Sequence, residues 1–377
     1  MTVTFFKEQL DDAVGILGGS VGAKSYRNEY HMIQLVAAEG TARLTTSDVV
    51  QTCSLVVACK TAGELNTSIP FNLFRDLLKT YWGDQVTIDV RPENPETIVI
   101  QCGGVKTTIP ILLGEESFGV DLSGNKVTFP AATLKHGFQS VINSCEKHDA
   151  SRPALMGVNL AFKEKSPHFI ATDGFRISIF IAPPINENPL PDVLLHHISV
   201  RNILKMLQRF DPSEVDVYAT PETWAFDFGE ARLKVNVMAE SYPDMAPILK
   251  KLDGTPALFT CDRKELLTCI KTTQVTTKNQ SLPTMIKLTE DGELSISGES
   301  EEVGRVERCM GFVIGETQAD SFRINLNGEF LIDALQAIED NSVSINRRDV
   351  SDPVIIRPQG RTDLIHAIMP IYYRDGK

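Results

Sequence analysis

Apolar and polar positions along this chain follow a pattern that is used three times. Val3, Thr4 and Phe5 lead into Leu10, Ala13, Val14 and Leu17. Val127, Thr128 and Phe129 lead into Leu134, Gly137, Phe138 and Val141. Phe259, Thr260 and Cys261 lead into Leu266, Cys269, Ile270 and Thr273. Each copy reads as a strand end, apolar-Thr-apolar, followed by mostly small or apolar residues spaced 0, 3, 4 and 7, one face of an α-helix. The copies start 124 and 132 residues apart, a period that belongs to a repeated domain rather than a solenoid unit.

A second pattern keeps the same beat. Ile69, Phe71, Phe74, Leu77 and Leu78 precede Val86, Ile88 and Val90. Ile198, Val200, Ile203, Leu204 and Leu207 precede Val215 and Val217, and Ile324, Leu326, Phe330, Leu331 and Leu335 precede Val343 and Ile345. Each is a helix followed by an alternating strand. Two elements that hold one order and one spacing three times argue against chance periodicity. The expected fold is α+β, with three similar domains at 1–124, 125–254 and 255–377, each carrying two helices packed on antiparallel strands. Gly114 to Lys126 and Asp253 to Pro256 read as linkers, and Leu364 to Ile371 reads as the last strand. Such helices need cover on one face only, so six of them leave a long helical surface free. A sheet edge at each domain end is a route to pairing with another chain.

Composition narrows the class. No run of about 18 apolar residues exists, so no membrane span is expected. Glu8, Asp11 and Asp12 sit inside the first apolar pattern, which argues against a signal peptide. The 7 cysteines form no CxxC pair and read as reduced core residues of a cytoplasmic protein. No catalytic motif is present, so no enzyme, metal site or cofactor is expected. Gly18 to Ser25 comes within one residue of a phosphate loop, with Ala23 at the second glycine position. A helix precedes it and strands follow, the reverse of what a phosphate loop needs. A nucleotide-binding enzyme using this loop is one alternative; a glycine helix cap with an exposed Lys24 is the other.

Charge changes the picture through its distribution. The net charge of −12 speaks against nucleic acid, yet the thirds carry −6, −1 and −5. In the middle third, Arg201, Lys205 and Arg209 repeat every four residues with no acid between Val200 and Phe210, which puts three cations on one helix stripe.

Two segments stand out for binding. Ala171-Thr172-Asp173-Gly174-Phe175-Arg176-Ile177 places a turn dipeptide between apolar strands and follows it with an aromatic and an arginine. The stretch His366 to Arg374 holds an apolar Met-Pro strand near the end of the sequence. With Ser241-Tyr242-Pro243-Asp244 and Ile368-Met369-Pro370-Ile371, these residues and the three-fold plan resemble the bacterial sliding clamp family, the beta subunit of DNA polymerase III.

The resemblance implies a head-to-tail homodimeric ring of six similar domains, with helices lining a hole through which duplex DNA slides without sequence preference. DNA-facing cations would be Arg75, Lys79, Lys135, Arg201, Lys205, Arg209, Arg263 and Lys271, with Lys24 on a loop. The sixth helix fits less well, since it carries Glu329, Asp333 and Glu339 and no cation. The resemblance also implies a hydrophobic cleft between the second and third domains that takes short linear peptides. Those peptides would come from the replicative DNA polymerase, the clamp loader and repair polymerases. One part of the cleft would be Leu155, Thr172, Gly174, Phe175, Arg176 and Ile177, bordered by Pro243 and Ile248. The remainder would be Asn327 and Phe330 on the last helix, then Ile368, Met369, Pro370 and Ile371. Pro247, Tyr372 and Tyr373 depart from the family's pattern. They leave open a paralogue with altered client or inhibitor binding.

Overall fold

The computed structural model describes residues 1–22, 28–90, 97–110, 119–185, 190–277, 282–288, 293–314 and 322–372. Lys24 and Tyr373 lie outside the described residues, as does the second half of the Gly18–Ser25 loop.

The three apolar-Thr-apolar motifs are three strands, Thr2–Phe6, Asn125–Pro130 and Ala257–Asp262. Each pairs antiparallel with the strand that follows the second helix of its own repeat, namely Gln85–Val90, Glu214–Ala219 and Ser342–Asn346. The registers correspond: Thr4 faces Thr87, Thr128 faces Asp216 and Thr260 faces Ser344. The flanking apolar residues are buried while the threonines stay partly exposed, which is the period-2 alternation of a half-covered sheet. Thr128 donates to the Asp216 carboxylate at 2.7 Å. That bond and the Lys126 ammonium help hold the Asp216 carboxyl below its usual range against the opposing effect of burial.

Among the described residues there are seven α-helices: α1 Lys7–Leu17, α2 Phe71–Thr80, α3 Ala131–Val141, α4 His197–Phe210, α5 Ala246–Leu252, α6 Arg263–Thr277 and α7 Gly328–Ala337. Six of them are the two helices of each repeat. The seventh, α5, occupies a stretch that the sequence pattern left unassigned. Pro247 stands in its first turn, where a missing N–H costs no intrahelical bond.

The chain packs as two compact units. The first comprises 1–134, 187–191 and 198–237. It holds a five-stranded sheet and an eight-stranded sheet. The larger one joins strands of the first and middle thirds, with Ala231–Asn236 antiparallel to Gln51–Ala58. The second unit comprises 135–186, 192–197 and 238–377. It holds a nine-stranded sheet and a four-stranded sheet. In its nine-stranded sheet, Arg176–Ile181 pairs with Leu364–Ile368, so strands of the middle and last thirds share one ladder. Two of the edges that the sequence offers to another chain are therefore closed within this one. Val105–Pro110 remains at the end of the five-stranded sheet and Gly304–Met310 at the end of the four-stranded sheet.

Two expectations need correction. The last strand stops at Ile368 rather than Ile371, because Pro370 has no N–H to extend a ladder. Cys309 is exposed and Cys59 half-buried, whereas the other five cysteines are buried. No helix among the described residues is long and apolar enough to cross a membrane.

Candidate functional site

The turn between the strands Ser166–Thr172 and Arg176–Ile181 is fixed by its own side chains. One Asp173 carboxylate oxygen accepts the amides of Phe175 at 2.9 Å and Arg176 at 3.0 Å, a side chain taking the place of a backbone acceptor. The Thr172 hydroxyl accepts from the Gly174 amide at 3.1 Å and donates to the Arg176 carbonyl at 2.5 Å. Gly174 has φ +91°, the left-handed region that favours glycine. The result lifts Phe175 into solvent, 60% exposed.

Two arginines brace this turn. Arg152 donates to the Asp173 carbonyl at 3.0 Å and is itself held by Glu146 and Asp149, both at 2.9 Å. The His148 amide is the main group holding the Glu146 carboxyl below its usual range, helped by the Asp149 and Lys147 amides and Arg152. The Ser151 hydroxyl and Arg152 do the same for Asp149. Arg176 is buried, and its donors go to the Asp173 carboxylate at 2.9 Å, the Asp333 carboxylate at 2.7 Å and the Asn143 carbonyl. Its guanidinium lies over the Phe330 ring, 4.1 Å from the centroid. The buried cation is tolerable because two carboxylates, a carbonyl and a π-face replace much of its water.

The C-terminal segment closes on the same turn. Ile368 pairs with Arg176 across the ladder, and the Met369 amide donates to the Phe175 carbonyl at 2.9 Å. The Ile371 amide donates to the Asn325 carbonyl at 2.8 Å. The Tyr372 hydroxyl donates to the Val350 carbonyl and accepts from Arg347 at 3.2 Å. Beneath this surface runs a buried chain of neutral groups. The Ser144 hydroxyl meets that of Ser178 at 2.6 Å, which meets His366 Nδ1 at 2.7 Å. Burial pushes the His366 imidazole down to about 3, with the nearby Arg176 acting in the same direction.

The residues expected in a peptide site divide accordingly. Thr172, Gly174, Phe175 and Arg176 form the turn, and Ile368 and Met369 pair with it. Pro370 and Ile371 are half-buried on the segment that continues from Met369. Phe330 reaches the turn through Arg176. Asn327 shapes that approach by capping α7, accepting the Glu329 amide at 2.9 Å. Leu155 is half-buried, and its carbonyl accepts the Glu146 amide of the bracing loop. Ile177 lies on the opposite face, packed with Ile170, Met245 and Ala367. Strand alternation requires this, since neighbours of Arg176 in sequence must point the other way. Pro243 and Ile248 are exposed, Ile248 on α5, whose Leu249 packs against that same cluster. Sequence reading missed Arg152, Asp173 and Asp333. Asp173 stands three residues before Arg176 in the turn, a spacing that could have signalled that pair, whereas Asp333 is 157 residues from Arg176 and carries no local signal.

The candidate DNA-facing cations are unequal. Arg201, Lys205 and Lys271 are exposed and Lys135 is half-buried. Arg209 pairs with Asp12 at 2.6 Å. Arg75 pairs with Asp76 at 3.0 Å, and Lys79 approaches the same carboxylate at 3.7 Å. Arg263 directs its fork at the carbonyls of Asp340 at 2.7 Å and Leu335 at 3.1 Å, which ties α6 to the C-terminal end of α7. Among the described residues no three His, Cys, Asp or Glu side chains converge as a metal-binding group.

Residues 128–244 match the family model for the DNA polymerase III beta subunit, central domain, and residues 254–372 match that for its C-terminal domain. The chain is 24% identical over 257 residues to a beta sliding clamp of Synechocystis sp., an alignment spanning 64% of either protein. It is 21% identical over 382 residues to the beta sliding clamp of Synechococcus elongatus, covering 98% of both. Its fold is similar to a DNA polymerase sliding clamp from Bacillus subtilis, with TM-score 0.88 at 18% identity and 99% of each chain covered. It is similar also to the DNA polymerase III beta subunit of Thermotoga maritima, with TM-score 0.85 at 19% identity and 99% of each chain covered. The two models together span more than half of the sequence, and the repeated strand–helix plan runs through the remainder. The chain belongs to the DNA polymerase III beta subunit family.

Proposed function

We propose that this protein is a DNA sliding clamp, a binding and tethering protein without catalysis. It acts by raising a polymerase's effective concentration at the template. The observation that carries the reading is the strand–helix plan itself. It recurs three times in corresponding registers, and strands of successive thirds join edge to edge. Repeating that join once more, between the end strand Val105–Pro110 of one copy and the end strand Gly304–Met310 of a second, would close a head-to-tail pair. A closed assembly of this kind has heterologous contacts that return on themselves. Domains at 1–124, 125–254 and 255–377 would give six such modules per ring.

A ring linked to DNA by topology has no need of tight phosphate contacts, which would resist sliding. The cations agree with weak contact. Arg201, Lys205 and Lys271 are exposed on helices, while Arg209, Arg75 and Lys79 are offset by acids. The turn at 172–176, Phe330 and the segment 368–371 would receive short apolar peptides of the replicative polymerase, the clamp loader and repair polymerases. Exposed Phe175 and Met369 provide adaptable contact area for partners that exchange. Tyr372, anchored on Arg347, marks where client preference departs from that of the relatives.

The test is solution mass and retention on DNA, with a clamp loader and circular plasmid. A mass near twice the 41.7 kDa chain, retention on the circle and release on linearising would support the clamp. A monomer, or retention that linearising leaves unchanged, would sink it. The nucleotide-binding alternative would then be next, tested by nucleotide binding to the Lys24→Ala variant.

A further inference from the structure

The acid on α7 that fits a DNA-lining helix poorly has another partner. Asp333 gives its carboxylate to Arg176 at 2.7 Å, across 157 residues of sequence. Asp333 stands three residues after Phe330, so both side chains leave one face of α7. The Arg176 guanidinium is held between them, 4.1 Å from the Phe330 ring on one side and hydrogen-bonded to the carboxylate on the other. Its Nε donates to Asp173 and one further N–H to the Asn143 carbonyl. The charge of Arg176 is therefore already met by two carboxylates. Its place in the site is to be gripped, and what it grips together is the 172–176 turn and the first turn of α7.

We propose that Asp333 is a positioning residue of the peptide site. By neutralising and orienting Arg176, it holds the Phe330 ring against the turn that carries Thr172 and Phe175, before any ligand arrives. A ligand then meets a formed apolar wall and does not have to order it, which is the usual origin of affinity from preorganisation. A second consequence concerns ligand chemistry. Because Arg176 is already matched by two carboxylates, the residue seated at Phe330 is apolar or aromatic, and an acidic residue there gains no ion pair. This inference rests on the clamp reading.

The experiment uses the full-length protein and a fluorescent short peptide with a Leu-Phe end, with affinity read by anisotropy. Phe330→Ala serves as the reference for occupancy of the site. Asp333→Ala is expected to weaken the peptide about tenfold, and Asp333→Asn, which keeps an acceptor oxygen, to recover a large part of that. Retention on circular DNA is expected to stay at the wild-type level in both, which a general loss of folding would not allow. Replacing the peptide's Phe by Glu is expected to abolish binding to all forms. Wild-type affinity in Asp333→Ala, with Phe330→Ala impaired, would overturn the inference and leave the clamp reading standing. Failure of the wild-type protein to bind the peptide would overturn this inference together with the peptide-site reading, while solution mass and retention on circular DNA decide the ring separately. A peptide ending in Glu that binds as well as the parent would overturn the account of ligand chemistry.

Discussion

His366 shows what burial does to a single group. Its ring is fully enclosed, it contacts Ser178 through Nδ1, and its basicity falls from the ordinary 6.5 to about 3. A folded-state value below the unfolded one means that the unfolded chain binds the proton first. Stability from this group is thus complete above about 6.5 and is lost progressively as pH falls toward 3. His168 is displaced in the same direction, mainly by burial. Between pH 7 and 5, before most carboxylates protonate, one such histidine contributes a slope of at most about 1.4 kcal/mol per pH unit. Denaturant midpoints of His366→Asn measured across that window should therefore fall less steeply than those of the wild type. Parallel curves would mean that the imidazole is not buried as described.

Among elements, α3 approaches its sheet closely at one point. Gly137 has no room for a side chain, since a Cβ there would come within 2.6 Å of the Phe169 ring. Phe169 cannot retreat easily, because Phe138 meets it edge-on at 5.0 Å and Phe180 stands at 6.1 Å. Gly137→Ala should destabilise the protein by about 1–3 kcal/mol through overpacking, even though alanine favours helix over glycine. A chemical denaturation curve that is unchanged or more stable would show that α3 stands further off. The same helix illustrates what a sequence pattern conveys. Leu134, Phe138 and Val141 announce a buried stripe, and Gly137 reads as one more small residue on it. That glycine is the point of closest approach is visible only when the aromatic opposite is known.

At the scale of the whole molecule, the proposed ring rests on two sheet edges, Val105–Pro110 and Gly304–Met310. Successive residues of an edge strand point their N–H groups alternately inward and outward, so of Thr107→Pro and Thr108→Pro one removes an outward donor. If the ring closes through this edge, that variant should sediment as a monomer at concentrations where the proposed wild-type dimer forms. Dimers persisting in both would place the contact elsewhere. Two further joins lie within the chain, with Leu233 opposite Cys53 and Ile179 opposite Ile365.

The sequence by itself determined the repeat. Apolar residues at period 2 and then at 3, 4 and 7 are local signals, and each residue carries its share without reference to any other part of the chain. It also determined the turn at Asp173-Gly174, because the dipeptide's conformational preferences are its own. Tertiary structure alone decided where those pieces meet. Nothing local in Arg176 says that it will be enclosed by Asp333 and covered by Phe330. Nothing local in Ile177 says that it will face the core while its neighbour faces the site. The short helix α5 was missed for a related reason, since seven residues give too few turns for a period to emerge. The cations divided in the same way. Lys205 and Arg263 look alike in sequence, and only the fold brings two carbonyls to Arg263 and leaves Lys205 in water.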